Sequence, residues 1–396
     1  MADRFWVGGS ATWNSTATAV WSTTSGGAGG ASVPTAADNA IFNAASGNVN
    51  VQANGTSLPC LNLDFRDFVG SFVPRGPGSG GTVRTSGNVY LSNTMRAFGN
   101  STGLGNIAFG SSGTFFTNGV TIATTLIVGN ASANYIFNGN IDLFDLKRIL
   151  GTGGNVTIKD TSIVLRPGAF LDWTATGGPR TMVFTNNSIT LANGATLRFT
   201  GANINANLTG TTIVSNGGSL VVNTGVTANF TTTSISVAGG SIDLRAAVLS
   251  GTPNVNITPY SNNMAATTIA GNLNKAVVQS NAALEITSTA NIATVEVYGG
   301  TLSLLTLSAA NTFRIANLTM IGNGINNMSY LFGTPLTNDR IRSGINTSSA
   351  NISWTVIKNI MFTSAVTANN SIATGNIANV TVTVPSALNF NPVRRK

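Results

Sequence analysis

The sequence has no histidine, one cysteine and few charges: 20 Lys and Arg against 12 Asp and Glu in 396 residues, 8% in all. Without histidine there is no Ser-His-Asp triad, no imidazole metal ligand and no imidazole acid or base. The single cysteine, Cys60, excludes an internal disulfide framework and a cysteine-based zinc site. Set between Pro59 and Leu61, it reads as a small buried hydrophobe. The opening Met1-Ala2-Asp3-Arg4-Phe5-Trp6 lacks a basic segment followed by an apolar one, so no Sec signal peptide is read, and synthesis in a host cytoplasm is expected. The uncharged stretches 97–141 and 199–242 are broken throughout by Gly, Asn, Ser and Thr, unlike the roughly 20 apolar residues of a membrane span. No Gly-Lys-Ser/Thr tripeptide, calcium-loop pattern or glycine-aspartate array occurs, so neither metal nor cofactor is expected.

What the chain does have is 42% hydrophobic residues and 45 glycines, too apolar a composition for a disordered polymer. Its surface must therefore be wetted by Asn, Ser and Thr. Ile235, Val237, Gly240, Ile242 and Leu244 recur at the offsets of Val295, Val297, Gly300, Leu302 and Leu304, with a looser copy at Ile189, Leu191, Gly194, Leu197 and Phe199. Alternation about a glycine is the period of two strands joined by a tight corner. The markers Phe170, Leu197, Leu220, Ile242, Leu284 and Leu302 recur about every 20 residues, with the interval from Ile242 to Leu284 close to two units. The expected fold is all-β: a β-solenoid, parallel β-helix-like, with rungs of about 20 residues, ending in a β-sandwich-like segment. A β-sandwich series of hairpins is the competing account, because turns every 8 to 12 residues or about that produce the same spacing.

One helix of about two turns is expected at Asp142–Gly151, where an Asp N-cap, Lys147 and Arg148 in the last turn and a terminal glycine agree. The Pro/Gly-rich stretch 73–81 and the segment Pro253 to Pro259 divide the chain into 1–75, a Trp-rich capping or attachment segment with the first strands, 76–252, the solenoid body, and 253–396, a β-rich region with a basic tail.

The amino-terminal phrase Trp6-Val7-Gly8-Gly9-Ser10-Ala11-Thr12-Trp13-Asn14, then Trp21-Ser22, then Val33-Pro34-Thr35-Ala36-Ala37-Asp38-Asn39-Ala40-Ile41-Phe42 holds three of the five tryptophans. Such a cluster suits the closing of an exposed end of stacked rungs, with Asp38 satisfying backbone donors at the following turn. The phrase resembles an amino-terminal signature of β-helical surface proteins: bacterial autotransporter-like proteins and, without a signal peptide, virion structural proteins of tailed bacteriophages. The resemblance covers about residues 4 to 42, and the missing export signal makes it closer to the phage group. It implies a virion-located, non-enzymatic decoration or fibre protein that contacts other capsid or tail proteins. By analogy with phage fibres it implies a homotrimer, with a host surface glycan as a further candidate partner. A tailspike polysaccharide depolymerase and a glycan-binding adhesin are the alternatives.

Carboxylate pairs are the enzymatic chemistry left to such a chain. Asp64/Asp67 lie beside Arg66, and Asp142/Asp145 beside Lys147 and Arg148, where ion pairs or caps account for them. Glu285 and Glu296 sit in alternating strands, facing solvent or a neighbouring coil. The net charge of +8 is spread thinly, so nucleic acid is not an expected partner. Two basic features remain: Arg66, Arg75, Arg84 and Arg96 around the Pro/Gly loop, and the tail Arg394-Arg395-Lys396, a candidate docking element. Trp173 and Trp354 are the aromatics that a glycan-binding face would display.

Overall fold

The computed structural model describes the chain except for residues 75–80, 101–104, 131, 145–146, 152, 176–178, 224, 246–247, 252, 260–266, 288–290, 306–311, 325–327, 334–342, 375–376 and 384–396. Stacked parallel strands build a β-solenoid of about 11 turns with about 23 residues per turn. The chain divides into two compact units: Met1–Val214 with Val221–Thr233 and Ala246–Ser250, and Ser215–Leu220 with Ser234–Arg245 and Gly251–Lys396.

In the first unit each coil passes through three sheet faces. One coil runs through Gly113–Phe116, Thr121–Ala123 and Thr125–Val128, and the next begins at Asn134–Asn138. Alternate residues turn inward, and the same register position is filled on coil after coil by an aliphatic side chain: Val83, Ile107, Leu126, Ile149, Leu171 and Leu197 form one buried row. Each such side chain removes its surface from water only because a neighbouring coil covers it, so stability is shared between coils. The first face is a 12-stranded sheet that starts at Trp21–Ser22 and Asp3–Trp6 and runs to Val248–Ser250.

Corners between faces are made by residues that tolerate a left-handed backbone, including Asn118 (φ 45°), Asn186 (φ 56°) and Gly210 (φ 70°). Polar side chains beside these corners tie the coils together. Buried Asn187 donates from Nδ2 to the Ile158 carbonyl at 2.9 Å and accepts from the Thr161 N–H at 3.2 Å, tying its coil to the preceding one. Thr211 donates to the Phe184 carbonyl and Thr233 to the Leu208 carbonyl, each at 2.7 Å. These bonds satisfy backbone groups that a corner strips of their ladder partners.

In the second unit the described coils have two faces. Thr267–Val278 runs as one strand that pairs at Ile269 with Ile242 and at Ala276 with Val255. Its residues supply the coil missing between the markers Ile242 and Leu284, since Ile269 is followed in register by Ile286 and Leu304. All these pairings are parallel, as are those of Ser349–Ser353 and Ala378–Val382, so the β-sandwich-like ending expected from the sequence is replaced by further stacked coils.

The expected helix at Asp142–Gly151 is also corrected. Ile141–Leu143 and Arg148–Gly151 are strands, with Ile141, Leu143 and Ile149 buried in alternation. Stacking on both neighbouring coils outweighs a weak local preference for two helical turns. The helices among the described residues are the 3-10 turns Thr18–Val20 and Ala44–Ser46. None is long and apolar enough to cross a membrane.

Candidate functional site at the amino-terminal end

Trp6, Trp13 and Trp21 lie on separate short strands and converge on one interior, each 1% exposed or less. Asp3–Trp6 pairs antiparallel with Trp21–Ser22, placing Trp6 opposite Trp21, and pairs parallel with Asn39–Ile41 on its other side. The end of the first face is thus turned back on itself. The Trp21 indole meets Trp6 edge-on at 5.3 Å, Trp13 at 5.2 Å and Phe42 at 5.6 Å, the edge-to-face geometry that aromatic quadrupoles favour. Phe42 stacks in turn on Phe65 at 4.9 Å, carrying the aromatic interior into the next coil. The Trp6 Nε1–H donates to the Gly9 carbonyl at 3.0 Å, whereas the Trp21 Nε1–H has no partner among the described residues.

Asp38 is 8% exposed and accepts from three donors: the Thr35 hydroxyl at 2.6 Å, the Thr35 N–H at 3.1 Å and the Ala2 N–H at 3.0 Å. The donors lie on the preceding turn and on the first strand's approach, not on the following turn that the sequence reading named. The Thr35 hydroxyl bond, followed by those from the Thr35 and Ala2 backbone and by the Arg4 charge, holds the carboxyl below its ordinary range against the opposing effect of burial. A depressed folded-state pKa means that the ionised form stabilises the fold at neutral pH, with the contribution lost as pH falls through that value. Asp38→Asn is therefore expected to cost about 2 kcal/mol at pH 7, and the gap to the parent chain should narrow at an acid pH below the depressed folded-state value. Urea unfolding at both pH values checks this; a gap independent of pH would refute it.

The remaining carboxylates are mostly engaged in structural pairs. Asp64 pairs with Arg66 at 2.6 Å, Asp142 with Arg166 at 2.8 Å, Asp172 with Arg198, Asp243 with Arg245, and Glu296 with Lys275 at 2.7 Å. Three of these, Asp142–Arg166, Asp172–Arg198 and Lys275–Glu296, link neighbouring coils. The Arg166 guanidinium holds Asp142 below the ordinary carboxylate range, with the Thr121 hydroxyl assisting. Asp160 accepts from Asn186 at 3.0 Å, and Glu285 is half-buried on its strand. Among the described residues no three acidic or cysteine side chains gather where a metal ion could be held. Asp145, Arg75 and the tail Arg394-Arg395-Lys396 lie outside the described residues.

Cys60 is fully buried, and burial pushes its thiol up to about 12, far from a nucleophile at neutral pH. Trp173 is interior, 1% exposed, and packs edge-on against Phe184 at 5.4 Å, so it displays no ring to a ligand. Trp354 is half-buried at a left-handed corner with φ 49°. The large aromatics exposed among the described residues are instead Tyr298 and Tyr330, which single sequence positions did not distinguish from core. No family model, no curated protein and no solved structure matches this chain.

Proposed function

We propose that the chain is a non-enzymatic structural component of a bacteriophage virion, a capsid-surface decoration or fibre protein that docks on other capsid or tail proteins. The observation that carries this reading is the use to which its carboxylates are put. Asp38, Asp64, Asp142, Asp172, Asp243 and Glu296 each hold a turn, a strand or a neighbouring coil in place. Glycoside cleavage needs two carboxyl groups about 5 to 10 Å apart in one groove, one of them free to exchange a proton. Two of the described surface depressions are lined by a carboxylate, Asp67 in one and the Arg166-bound Asp142 in another, and these lie three stacked strands apart, about 14 Å at about 4.8 Å per strand. A stacked, nearly uncharged scaffold with an aromatic end suits a passive building element. In the proposed assembly the Trp6, Trp13, Trp21 and Asp38 end closes the stack and the basic tail docks.

Cryo-electron microscopy of purified particles that encode this chain tests the reading, with the chain traced into the map. Regular copies on capsid or tail are expected, and three-fold density would establish the trimer. Absence from the particle, or release of reducing sugar from capsular polysaccharide by the purified chain, would overturn it.

A further inference from the structure

Within the first unit, the corners that join the first face to the second shorten from residues 91–96, through 117–120, to 139–140. The outward positions beside them are small: Ala97, Gly99, Thr121 and Ala123. The receding corner and the low floor leave three adjoining depressions of about 410, 550 and 640 Å³. The central one shares Asn93 with its first neighbour and Gly119 and Arg166 with its second. Together they form a trough across successive coils from Asp67 to Ser162, about 20 Å long at about 4.8 Å per strand.

Three kinds of chemistry meet in its central part. Exposed Arg96 donates from Nε to Ser71 Oγ at 2.8 Å and from Nη2 to Asn50 Oδ1, so neutral partners aim it without cancelling its charge. It has no carboxylate partner among the described residues, unlike Arg166, which Asp142 neutralises. Half-buried Phe144 supplies an apolar wall. Asn93 and Thr121 line the same part with polar side chains, and Asn100 beside them carries a buried side-chain oxygen that finds no donor among the described residues.

We infer that this trough binds an extended polysaccharide segment bearing carboxylate groups. The carboxylate fits Arg96, sugar C–H faces fit Phe144, and hydroxyl groups supply donors and acceptors for Asn93 and Thr121. An acidic peptide fits less well. The floor strand Ala97–Gly99 is already paired on both sides, to Ser71–Pro74 and to Thr121–Ala123, so an added strand would find no free ladder for its own N–H and C=O groups. The inference goes beyond the virion reading and stands whether or not the chain is carried on a particle.

Isothermal titration of the full chain with hexamers of galacturonate, mannuronate and sialate tests it, with methyl-esterified hexagalacturonate and hexaglutamate as comparisons. At least one acidic glycan is expected to bind, more weakly as salt rises. Arg96→Gln should weaken that binding by roughly tenfold, and Ala97→Trp, which fills the floor, should abolish it while thermal unfolding stays unchanged. Failure of all three acidic hexamers to bind, binding indifferent to both variants, or equal binding of hexaglutamate would each overturn the inference.

Discussion

Replacing Trp21 with alanine is expected to open the amino-terminal end of the first unit. The side chain is fully buried and touches Trp6, Trp13 and Phe42, and its strand is the one that folds back on Asp3–Trp6. Truncating an aromatic of this size costs about 4 kcal/mol, and here a small end segment must bear the whole loss. Coils of a solenoid unfold semi-independently, so the effect belongs to local exchange rather than to one global midpoint. Hydrogen exchange should speed up at Asp3–Trp6, Thr12–Trp13 and Asn39–Ile41, while the coils carrying Ile158 and Leu171 keep their protection. Trp21→Phe should be far milder, because the indole N–H that it deletes has no partner among the described residues. Trp6→Phe, by contrast, forfeits the bond to the Gly9 carbonyl. Unchanged exchange in Trp21→Ala would show that the aromatic cluster fills the end without holding it.

Gly240→Ala carries the second large effect. Gly240 has φ +87°, and a Cβ there would lie 2.0 Å from the Gly218 carbonyl oxygen, which accepts the Ser241 N–H at 3.2 Å. Alanine thus meets an unfavourable backbone angle and a backbone atom that is itself part of the stacking ladder. A loss of about 3 kcal/mol or more follows. Gly194 occupies the same place in the looser copy of the sequence phrase, with φ +70°, yet its nearest neighbour would stand 3.8 Å from a Cβ. Gly194→Ala should cost only the backbone term, about 1 kcal/mol, and Gly194→Asn less. Chemical unfolding monitored by exchange at Ser241–Leu244 and at Ser188–Leu191 separates the two. Equal effects at both positions would mean that the carbonyl at Gly218 yields freely.

The same pair shows how far the sequence could be read. Alternation around Gly194, Gly240 and Gly300 exposed the strands, the corners and the stacking period, because inward positions must be apolar on every coil. It could not reveal which glycine is sterically obligatory, since that depends on a carbonyl one coil away. Phe170, one of the markers of the recurrence, faces outward beneath Arg148 at 4.8 Å while Leu171 occupies the interior row. A one-residue slip is invisible where both neighbours are apolar. At Asp142–Gly151 the cap-like composition reflected ion pairing instead, for Asp142 binds Arg166 on the next coil. The tryptophan cluster was legible because three of the chain's five tryptophans fall between Trp6 and Trp21. The trough was not, because Asn93, Arg96, Thr121 and Phe144 come from different coils and share no local motif.

The folded-back strand Trp21–Ser22 also sets a direction for assembly. During synthesis, at about 5 to 20 residues per second, the tryptophan end leaves the ribosome before the coils that stack upon it. A hairpin-like start with its own aromatic interior gives the first parallel strand a finished template. Each later strand then meets one waiting edge, and loop closure is limited to a single turn. The solenoid can therefore grow from one seed in one direction, and a chain lacking that seed should start late and in the wrong register more often than it unfolds early.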